Sequence, residues 1–415
     1  MNILHVTHLY LPSVGGTEIH TRELSIELAK LGHQVSIFTT DAKYAYDLFP
    51  KIGRKNITVG EKVFRDSQIA VYRFHVTNSL FASFCLKSLG VTCESVQKLG
   101  LHRQDIFDWV KAWQKSPLVP KLYFKLLNSD DFDVVNSTPF PYGYSLFIKK
   151  ICERKRIPFI ITPRAHTMSW EYSQPFLLKT VRESDGIIAL TEHEKDFFAR
   201  KGVPKDKIFV TGIGVPTENH QTADSASFRR NHKISKDSKI ILFIGRIDKG
   251  KGVGLLLRSM EIVWKKIPDV YLILLGRSTQ DTSQIIYFTR HEKRIVNLPD
   301  ATEKTKNDAL ASSDLFVLPS IWESFGGVFL EAWLAGKPVI GCRTPTISCV
   351  VDDGVDGLLS SCDEKELAEK MIYLLENEDK GQQMGKIGRE KVLRNYTWKI
   401  IAAKTLKAYE VFSKK

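Results

Sequence analysis

Glu323-Ser-Phe-Gly-Gly-Val-Phe-Leu-Glu331 is the most informative stretch of the chain, because two carboxylates flank an aromatic residue and a Gly-Gly step. Residues 314–320 before it predict a short buried strand, and residues 328–334 predict a helix that begins just after the glycines. Gly326 and Gly327 would then lie at a helix N-terminus, where free N–H groups and the helix dipole favour a phosphate. Glu331 would lie about one turn into that helix, where its carboxylate can accept hydrogen bonds from sugar hydroxyls. A nucleotide sugar offers all of these groups.

A second stretch, Ile241-Leu-Phe-Ile-Gly-Arg-Ile-Asp-Lys-Gly-Lys-Gly252, predicts a strand followed by a tight turn and two cations. Gly245 allows the backbone to turn directly after the strand. Arg246 and Lys251 can both contact one diphosphate. Because a nucleotide becomes an anion as its sugar leaves, cations at this place would stabilise the transition state without a divalent metal.

The E-x7-E block of residues 323–331 resembles the signature of the retaining family 4 glycosyltransferases, which use nucleoside diphosphate sugars. The strand followed by Gly-Arg and then Lys-Gly at residues 241–252 is similar to a second motif of that family. The resemblance implies the α/β GT-B fold, in which two Rossmann-like, doubly wound domains face one another across a cleft. It also implies that Glu331 binds the ribose and that Glu323 contacts the sugar.

The first residues carry a third resemblance, a strand, a glycine loop and a helix over residues 1–31 without the G-x-G-x-x-G pattern. In the family the Gly-Gly-x-Glu loop faces the donor diphosphate and the acceptor, and Gly15, Gly16 and Glu18 match it here. The buried strand of residues 157–162 ends in a polar turn, where His166 matches a histidine close to the donor sugar. The resemblance thus implies two sets of site residues. The catalytic set is His166, Arg246, Lys251 and Glu323, and the donor-binding set is Gly15, Gly16, Gly245, Phe325, Gly326, Gly327 and Glu331.

Two departures from the family pattern stand out in these motifs. Pro163-Arg164-Ala165 precedes His166 where aliphatic residues are common, which could alter the acceptor side of the site. Gly327 replaces the usual branched residue after Phe-Gly, and we expect it to alter only the stiffness of the loop.

Strand and helix patterns alternate along most of the chain, which is typical of parallel sheets covered by helices on both faces. A polar, aperiodic run at residues 216–226 predicts a linker between two such series. We therefore predict an acceptor-binding domain at 1–215 and a nucleotide-sugar-binding domain at 216–396. The apolar spacing of residues 396–412 predicts an amphipathic helix. In the family such a helix crosses back onto the first domain, so residues 397–415 are assigned there.

The chain of 415 residues has 60 Lys and Arg against 47 Asp and Glu, a net charge of +13 that predicts an anionic partner. The absence of finger spacing, of an aromatic RNP-like strand and of a compact basic helix argues against nucleic acid. Aromatic residues and lysines at residues 79–128 suit amphipathic helices that could dock on an anionic membrane and receive a lipid-linked acceptor. Simple packing of these helices on the first sheet is the alternative.

The six cysteines are scattered without C-x-x-C pairs, so we expect reduced thiols. No apolar run approaches 18 residues and no cleavable signal pattern is present. The sequence therefore predicts a cytoplasmic protein, with peripheral attachment to the inner face of the plasma membrane as an option.

Metal and cofactor sites are not expected. His5, His8 and His20 lack convergent spacing for a metal. The Asp-Asp pairs at residues 130–131 and 352–353 are explained by turn formation. The sequence thus predicts no cofactor and no metal, only a nucleoside diphosphate sugar as co-substrate.

The resemblance implies a retaining hexosyltransferase that acts on a sugar or lipid-linked acceptor in polysaccharide or glycolipid assembly. Three alternatives stay open. Glu323 and Glu331 could be an acid/base pair of the glycosidase kind, which their spacing alone does not exclude. A GT-B relative could instead perform epimerisation or phosphorolysis, and a basic membrane-surface module could bind its ligand without turnover.

Overall fold

The computed structural model describes residues 1–49, 57–77, 88, 104–129, 132–217, 223–278 and 292–413. The chain divides into two compact units, each with its own sheet. Unit 1 comprises Met1–Gly212 and Ile401–Lys415, and unit 2 comprises Ile213–Ile400. The predicted division had placed residues 1–215 with 397–415 and left 216–396 as the second domain.

Unit 1 contains a sheet with the strand order β3-β4-β2-β1-β5-β6-β7-β8. Its strands are β1 (Asn2–Thr7), β2 (Gln34–Thr40), β3 (Lys62–Asp66), β4 (Ile69–Phe74), β5 (Val134–Thr138), β6 (Phe159–Ile161), β7 (Gly186–Ala189) and β8 (Ile208–Val210). All neighbours are parallel except β3, which runs antiparallel to β4 at the edge. The central strands β1 and β5 are buried on both faces because helices cover both sides, as in other parallel sheets.

The helices of unit 1 follow the strands in the expected alternation. They are α1 (Gly16–Lys30), α2 (Gln104–Gln114), α3 (Pro120–Leu127), α4 (Tyr144–Lys155), α5 (Pro175–Arg182) and α6 (Glu192–Arg200). The apolar pattern of the sequence predicts strands at residues 3–7, 34–39, 134–136 and 186–190, and each corresponds to an observed strand.

Unit 2 contains a parallel sheet with the order β11-β10-β9-β12-β13-β14. Its strands are β9 (Lys239–Ile244), β10 (Val270–Leu275), β11 (Ile295–Leu298), β12 (Leu315–Leu318), β13 (Val339–Cys342) and β14 (Gly357–Ser360). Its helices are α7 (Ser225–Asn231), α8 (Val253–Lys266), α9 (Glu303–Ser312), α10 (Gly327–Leu334), α11 (Glu364–Glu376) and α12 (Glu378–Asn395). The two sheets confirm the predicted α/β class.

The strand order reverses direction at one strand of each sheet. In unit 1, β1 lies between β2 and β5, and in unit 2, β9 lies between β10 and β12. Loops that leave neighbouring strands at such a switch point diverge to opposite faces, which opens a crevice at the carboxyl edge of the sheet. Both glycine loops of the sequence motifs begin at these two strands.

The last helix, α13 (Trp398–Ser413), carries apolar side chains into the core of unit 1. The Tyr409 hydroxyl lies 2.9 Å from His5 Nε2 and accepts a hydrogen bond from Asn136 Nδ2 at 2.6 Å. The ring of Phe412 lies against Gly186, where an added Cβ would come within 2.3 Å of it. The C-terminal segment is therefore part of the first unit's core.

The structure corrects one expectation about the cysteines. Cys342 and Cys362 form a disulfide with a Cα–Cα distance of 5.2 Å, whereas the sequence predicted reduced thiols. The pairing follows from the sheet, because Cys342 ends β13 opposite Ser360 of β14 and Cys362 comes just beyond. Spacing of 20 residues along the chain gives no hint of that neighbourhood. Cys85 and Cys93 lie outside the described residues.

Part of the segment proposed for membrane contact, residues 79–128, also lies outside the described residues, as does the Asp pair at 130–131. Among the residues that the structure does describe, no helix is both long enough and apolar enough to cross a bilayer.

Candidate active site

The loop between β9 and α8 presents the two predicted cations of unit 2. Gly245 has a φ of +155°, a value that favours glycine, and it turns the chain directly after the strand. The Arg246 side chain is 69% exposed, with its Nε 3.3 Å from Asp248 Oδ2. Asp248 also accepts a hydrogen bond from the Lys251 N–H at 2.9 Å, which caps the short turn before α8. Arg246 is thus held loosely and Lys251 firmly.

This loop packs closely on the loop between β12 and α10. Gly252 has a φ of +74°, and a Cβ there would lie 2.0 Å from the carbonyl oxygen of Pro319. The Gly250 carbonyl accepts hydrogen bonds from Ser320 Oγ and the Ile321 N–H, both at 3.0 Å. Only glycine allows this approach, so the Lys-Gly pair of the motif fixes the distance between the two loops.

The packed loops bring Lys251 and Glu323 together. Lys251 Nζ lies 2.5 Å from Glu323 Oε1, and the two side chains are 18% and 9% exposed. Seventy-two residues separate them in sequence. The structure therefore places a cation and a carboxylate in one ion pair at the carboxyl edge of the sheet, where the motifs had predicted both.

The second acid, Glu331, lies on α10 and pairs with a lysine that the motifs did not predict. Its Oε2 is 2.8 Å from Lys306 Nζ on α9, and Lys306 also lies 2.9 Å from Glu303. Burial would lower the pKa of Lys306, but the two carboxylates raise it above its usual value. Glu331 thus faces a charged lysine, which orients its carboxylate.

The start of α10 lacks a side-chain cap. Gly326 is the N-cap, with a left-handed φ of +87°, so that the first N–H groups of the helix have no side-chain acceptor. Gly327 was expected to change only loop stiffness, but a Cβ there would also lie 2.5 Å from Ile213 Cδ1. Phe325 is 2% exposed and packs edge-on against Tyr396 at 5.6 Å, so its ring supports the loop from inside unit 2.

The glycine loop of unit 1 surrounds a buried acid. Gly15 is the N-cap of α1, and a Cβ on it would lie 2.4 Å from Glu18 Oε2. Glu18 is 7% exposed, and burial raises its pKa above the usual value. His8 Nε2 lies 3.9 Å from Glu18 Oε1, and burial lowers the pKa of His8 to about 3, so this histidine is neutral. Gly15, Gly16 and Glu18 therefore form one local site.

Arg164, the departure from the family pattern, folds back under this glycine loop. Its Nη2 donates a hydrogen bond to the Gly16 carbonyl at 3.2 Å, and the residue is only 8% exposed. Burial lowers the pKa of Arg164 to about 10, while Glu18 and Glu194 oppose that shift. The guanidinium therefore remains charged at neutral pH. It joins the turn that carries His166 to the glycine loop.

The same turn is anchored by Glu194 near the start of α6. The carboxylate accepts hydrogen bonds from the Ala165 N–H and the Leu190 N–H, both at 2.6 Å. Burial raises the pKa of Glu194 to about 7, although these two hydrogen bonds lower it. His166 follows directly, half-buried, with its ring 5.9 Å from that of Tyr172. Glu194 thus sets the position of His166 without touching solvent.

His5 has a structural role in the core of unit 1. His5 Nδ1 lies 2.7 Å from Ser25 Oγ and its Nε2 bonds to Tyr409, while burial lowers its pKa to about 4. Within the described residues no group of three or more His, Cys, Asp or Glu side chains could hold a metal ion. The Asp352 and Asp353 carboxylates make ion pairs with Lys391 and Arg343, at 2.9 and 2.7 Å.

Two protein families match the chain, one over most of unit 1 and one over most of unit 2. The family described as "Glycosyltransferase Family 4" matches residues 14–219, and "Glycosyl transferases group 1" matches residues 224–391. A phosphatidyl-myo-inositol mannosyltransferase of Mycobacterium leprae is 33% identical over 307 residues, which cover 72% of this chain and 79% of that protein.

The chain is a family 4 glycosyltransferase.

Relatives that match more of the chain at lower sequence identity agree with this assignment. An uncharacterised glycosyltransferase of Methanocaldococcus jannaschii is 24% identical over 99% of this chain and 98% of its own. The crystal structure of Anabaena HepE with UDP and glucose has a TM-score of 0.72 at 17% identity and covers 99% of this chain and 100% of HepE. The structure of sucrose-phosphate synthase of Thermosynechococcus elongatus has a TM-score of 0.71, and the match covers 100% of both chains. This glycosyltransferase therefore has the GT-B fold.

The predicted site residues of the glycosyltransferase fall into two clusters. The structure brings Gly15, Gly16 and the His166 turn together in unit 1. It brings the Gly245-Arg246 turn, Lys251, Glu323 and the start of α10 together in unit 2. Sequence reasoning missed Lys306 and Glu194, since each contacts its motif from another element of the fold.

Proposed function

We propose that this glycosyltransferase moves a hexose, with retention of configuration, from a nucleoside diphosphate sugar to a sugar or lipid-linked acceptor. The reaction would serve polysaccharide or glycolipid assembly. The observation that supports the proposal best is the Lys251–Glu323 ion pair at the carboxyl edge of β9 and β12, where the lysine would contact the diphosphate and the glutamate would contact the sugar.

Arg246, Lys251 and the free N–H groups at the start of α10 would hold the diphosphate. As the anomeric C–O bond breaks, the electron pair goes to the departing phosphate, and these donors stabilise the developing charge. The acceptor hydroxyl forms its bond to the same face of the anomeric carbon, and its proton passes to the leaving phosphate. No nucleophile from the protein is needed, and His166 would contact the sugar.

The proposal includes catalysis without a metal. In the absence of a divalent cation, the two positive side chains must balance the charge of the diphosphate. Glu331, held by Lys306, would accept hydrogen bonds from the ribose hydroxyls. The structures of HepE with UDP and with UDP-glucose support a nucleotide sugar as the donor.

A thermal-shift screen of UDP-, GDP- and ADP-sugars in the presence of EDTA would test donor binding. We expect one donor to stabilise the wild type, and Arg246→Ala to lose most of that stabilisation. Arg258→Ala is the matched control, since Arg258 is also an exposed, ion-paired arginine of unit 2 but lies on α8 and pairs with Glu364. Product stereochemistry by NMR would then establish retention.

Other outcomes would favour the rival functions. Stabilisation that requires added metal would contradict the metal-free mechanism. Interconversion of the donor without transfer would indicate an epimerase, and a requirement for inorganic phosphate would indicate a phosphorylase. Donor binding that is insensitive to Arg246→Ala and never leads to nucleotide release would favour a binding module without turnover.

Peripheral attachment to the inner face of the plasma membrane is the second part of the proposal. On α3, Phe124 is 70% exposed and Leu127 is 38% exposed, with Lys121 and Lys125 on the same short helix. Apolar and basic side chains on one exposed helix suit an anionic lipid surface, as does the net charge of +13. The mannosyltransferase relative, by its name, acts on a lipid.

Vesicle flotation would test this attachment. We expect binding to phosphatidylglycerol vesicles that weakens with salt, and weaker binding of Phe124→Ala. Val63→Ala is the control, because Val63 is 65% exposed on the edge strand β3 of the same unit. Equal binding of the two variants would contradict a role for α3.

A further inference from the structure

A cavity of about 250 Å³ opens on unit 1, and no sequence motif predicted it. Three aromatic and three polar side chains are its main lining: Phe49, Tyr142, Trp170, Lys115, Glu171 and Gln174. Most of them lie in loops that leave β2, β5 and β6, so the cavity lies at the carboxyl edge of the parallel sheet. Ligands of doubly wound sheets bind at that edge.

The cavity adjoins the glycine-loop site through one of its aromatic side chains. The Tyr142 ring stacks on the ring of His8, with centroids 4.9 Å apart and an interplanar angle of 29°. His8 in turn lies 3.9 Å from Glu18. On its other side, the cavity residues Trp170 and Glu171 belong to a short 3-10 turn that follows His166 in the chain. A ligand in the cavity would therefore lie beside both unit 1 elements of the candidate active site.

The aromatic lining suits the face of a sugar ring. Trp170 is 66% exposed, which is unusual for a tryptophan that merely packs. The Tyr142 and Phe49 rings are stacked, with centroids 6.2 Å apart and an angle of 21°. The C–H bonds on one face of a pyranose form an apolar, weakly positive surface, which stacks on the negative face of an aromatic ring. Exposed rings beside a cavity provide such a platform.

The polar lining indicates a neutral ligand. Glu171 is an exposed carboxylate and accepts hydrogen bonds only, while Gln174 both donates and accepts. Lys115 donates, and its Nζ lies 6.0 Å from the centroid of the Trp170 ring. One negative and one positive group leave the rim without net charge. A phosphate or carboxylate would meet Glu171 as a like charge, whereas sugar hydroxyls can bond to all three side chains.

We propose that this cavity binds an uncharged pyranose, the sugar residue of the acceptor that receives the hexose. Trp170 stacks on the ring, and Glu171 and Gln174 hold its hydroxyls. The acceptor is then a saccharide or a glycolipid with a neutral sugar at the site of transfer, rather than a bare lipid phosphate. This inference rests on the proposed transferase function for its role in catalysis, but binding of the sugar can be tested without it.

Saturation-transfer NMR with simple glycosides tests the binding directly. The neutral probes are the methyl glycosides of glucose, galactose and mannose, and the charged probes are methyl glucuronide and methyl phosphate. We expect at least one neutral glycoside to give a signal with the wild type that falls at least fivefold in Trp170→Ala. Trp170→Phe, which keeps a ring, should retain more of the signal, and Glu171→Gln should reduce it severalfold.

Tyr373→Ala is the matched control, since it removes an exposed aromatic ring from α11 of unit 2. Its glycoside signal should equal that of the wild type. The proposal is overturned if no neutral glycoside binds, if only the charged probes bind, or if the signal of Trp170→Ala and Trp170→Phe equals that of the control.

The ratio of hexose transfer to donor hydrolysis separates this inference from the proposed function. With a neutral saccharide acceptor, we expect Trp170→Ala to lower that ratio at least tenfold and Tyr373→Ala to leave it unchanged. A parallel fall of transfer and hydrolysis in Trp170→Ala would assign the cavity to the donor and overturn the inference. Glycoside binding at Trp170 in a protein that neither binds nor hydrolyses any donor would instead contradict the transferase proposal alone.

Discussion

The loops at the carboxyl edges of the two sheets differ in how far solvent reaches their cations. In unit 2, the Arg246 side chain is 69% exposed and that of Lys251 is 18% exposed, although Glu323, which pairs with Lys251 at 2.5 Å, is only 9% exposed. In unit 1, Glu18 and Arg164 are more than nine-tenths buried, and Glu194 is 1% exposed. Charges that solvent can reach are able to exchange partners when a charged ligand arrives, whereas buried charges depend on fixed partners. The difference suggests that unit 2 binds the charged ligand and that the buried charges of unit 1 hold loops in place.

Removing Lys251 is the strongest test of the unit 2 half of this comparison. Lys251→Ala removes one of two cations proposed for the diphosphate, so we expect the rate of transfer to fall about 10²–10³-fold. Initial rates at saturating donor would measure the loss, with Arg258→Ala as the control and the thermal midpoint as a check on folding. A fall of less than about tenfold would mean that the pair with Glu323 is mainly structural.

Gly252→Ala tests how much the close packing of the two unit 2 loops contributes to the stability of the protein, for comparison with the buried charges of unit 1. Gly252→Ala forces a Cβ to within 2.0 Å of the Pro319 carbonyl oxygen at a φ of +74°, so we expect a loss of about 2–4 kcal/mol in the free energy of unfolding. Gly336 has a similar φ of +71° with open space around its Cβ position, and Gly336→Ala should cost about 1 kcal/mol. Urea titrations of both variants would compare them. Equal losses would show that the φ angle alone matters.

Glu194→Gln tests the unit 1 half of this comparison, because Glu194 should make the stability of the protein depend on pH. Burial raises the pKa of Glu194 in the folded protein to about 7. Between the ordinary pKa of a glutamate and pH 7, the folded protein therefore holds a proton on Glu194 that the unfolded chain has lost. Stability therefore falls as the pH rises through this window, by at most about 3 kcal/mol. Glu194→Gln should lose that dependence. Arg164 faces the carboxylate and, being charged throughout, does not alter the sign.

Urea unfolding of the wild type and of Glu194→Gln between pH 4.5 and 8 would measure the difference. The buried His5 and His8, whose pKa values are lowered to about 4 and about 3, have the opposite pH dependence, but they are present in both proteins and cancel. A difference that does not change with pH would mean that Glu194 is ionised in both states.

The smallest expected effect concerns Glu331 and its neighbour Glu303, which share Lys306. Glu331→Ala should weaken donor binding by about 1.5 kcal/mol, roughly tenfold, because the ribose loses a charged hydrogen-bond acceptor. Glu303 pairs with the same lysine from an exposed position, so Glu303→Ala should change the affinity less than about twofold. Calorimetric titration with the donor would compare them. Equal effects would assign the role to Lys306 rather than to the ribose contact.

Several predictions from sequence correspond closely to the structure because the motifs are local. Gly245 and Gly252 are needed for backbone angles or close approach, and residues of this kind can be recognised within a short stretch. Most strands were predicted within one or two residues, since strands buried on both faces are continuous apolar runs. The catalytic and donor-binding roles of the named residues stay predictions.

The elements and the disulfide that the sequence did not predict were missed for other physical reasons. Strand β3 was missed because it is a mostly exposed edge strand without an apolar run. Strand β14 was missed because its two leucines are flanked by Gly357 and Ser360 and form no apolar run, and α7 begins inside the run predicted as a linker. The disulfide between Cys342 and Cys362 depends on two strands that are neighbours only in the folded sheet.

The α/β class, the family resemblance and the motif residues could all be inferred from the amino-acid sequence, because each follows from periodicity or from residues close together in the chain. Which charges meet depends on how distant segments pack in the folded protein. Lys251 reaches Glu323 across 72 residues, Lys306 reaches Glu331 from another helix, and Arg164 reaches the glycine loop across 148 residues. The aromatic cavity beside Trp170 is likewise assembled from loops of separate strands. Packing of distant segments sets burial and pairing, and these determine the pKa of each group and the partners it can bind.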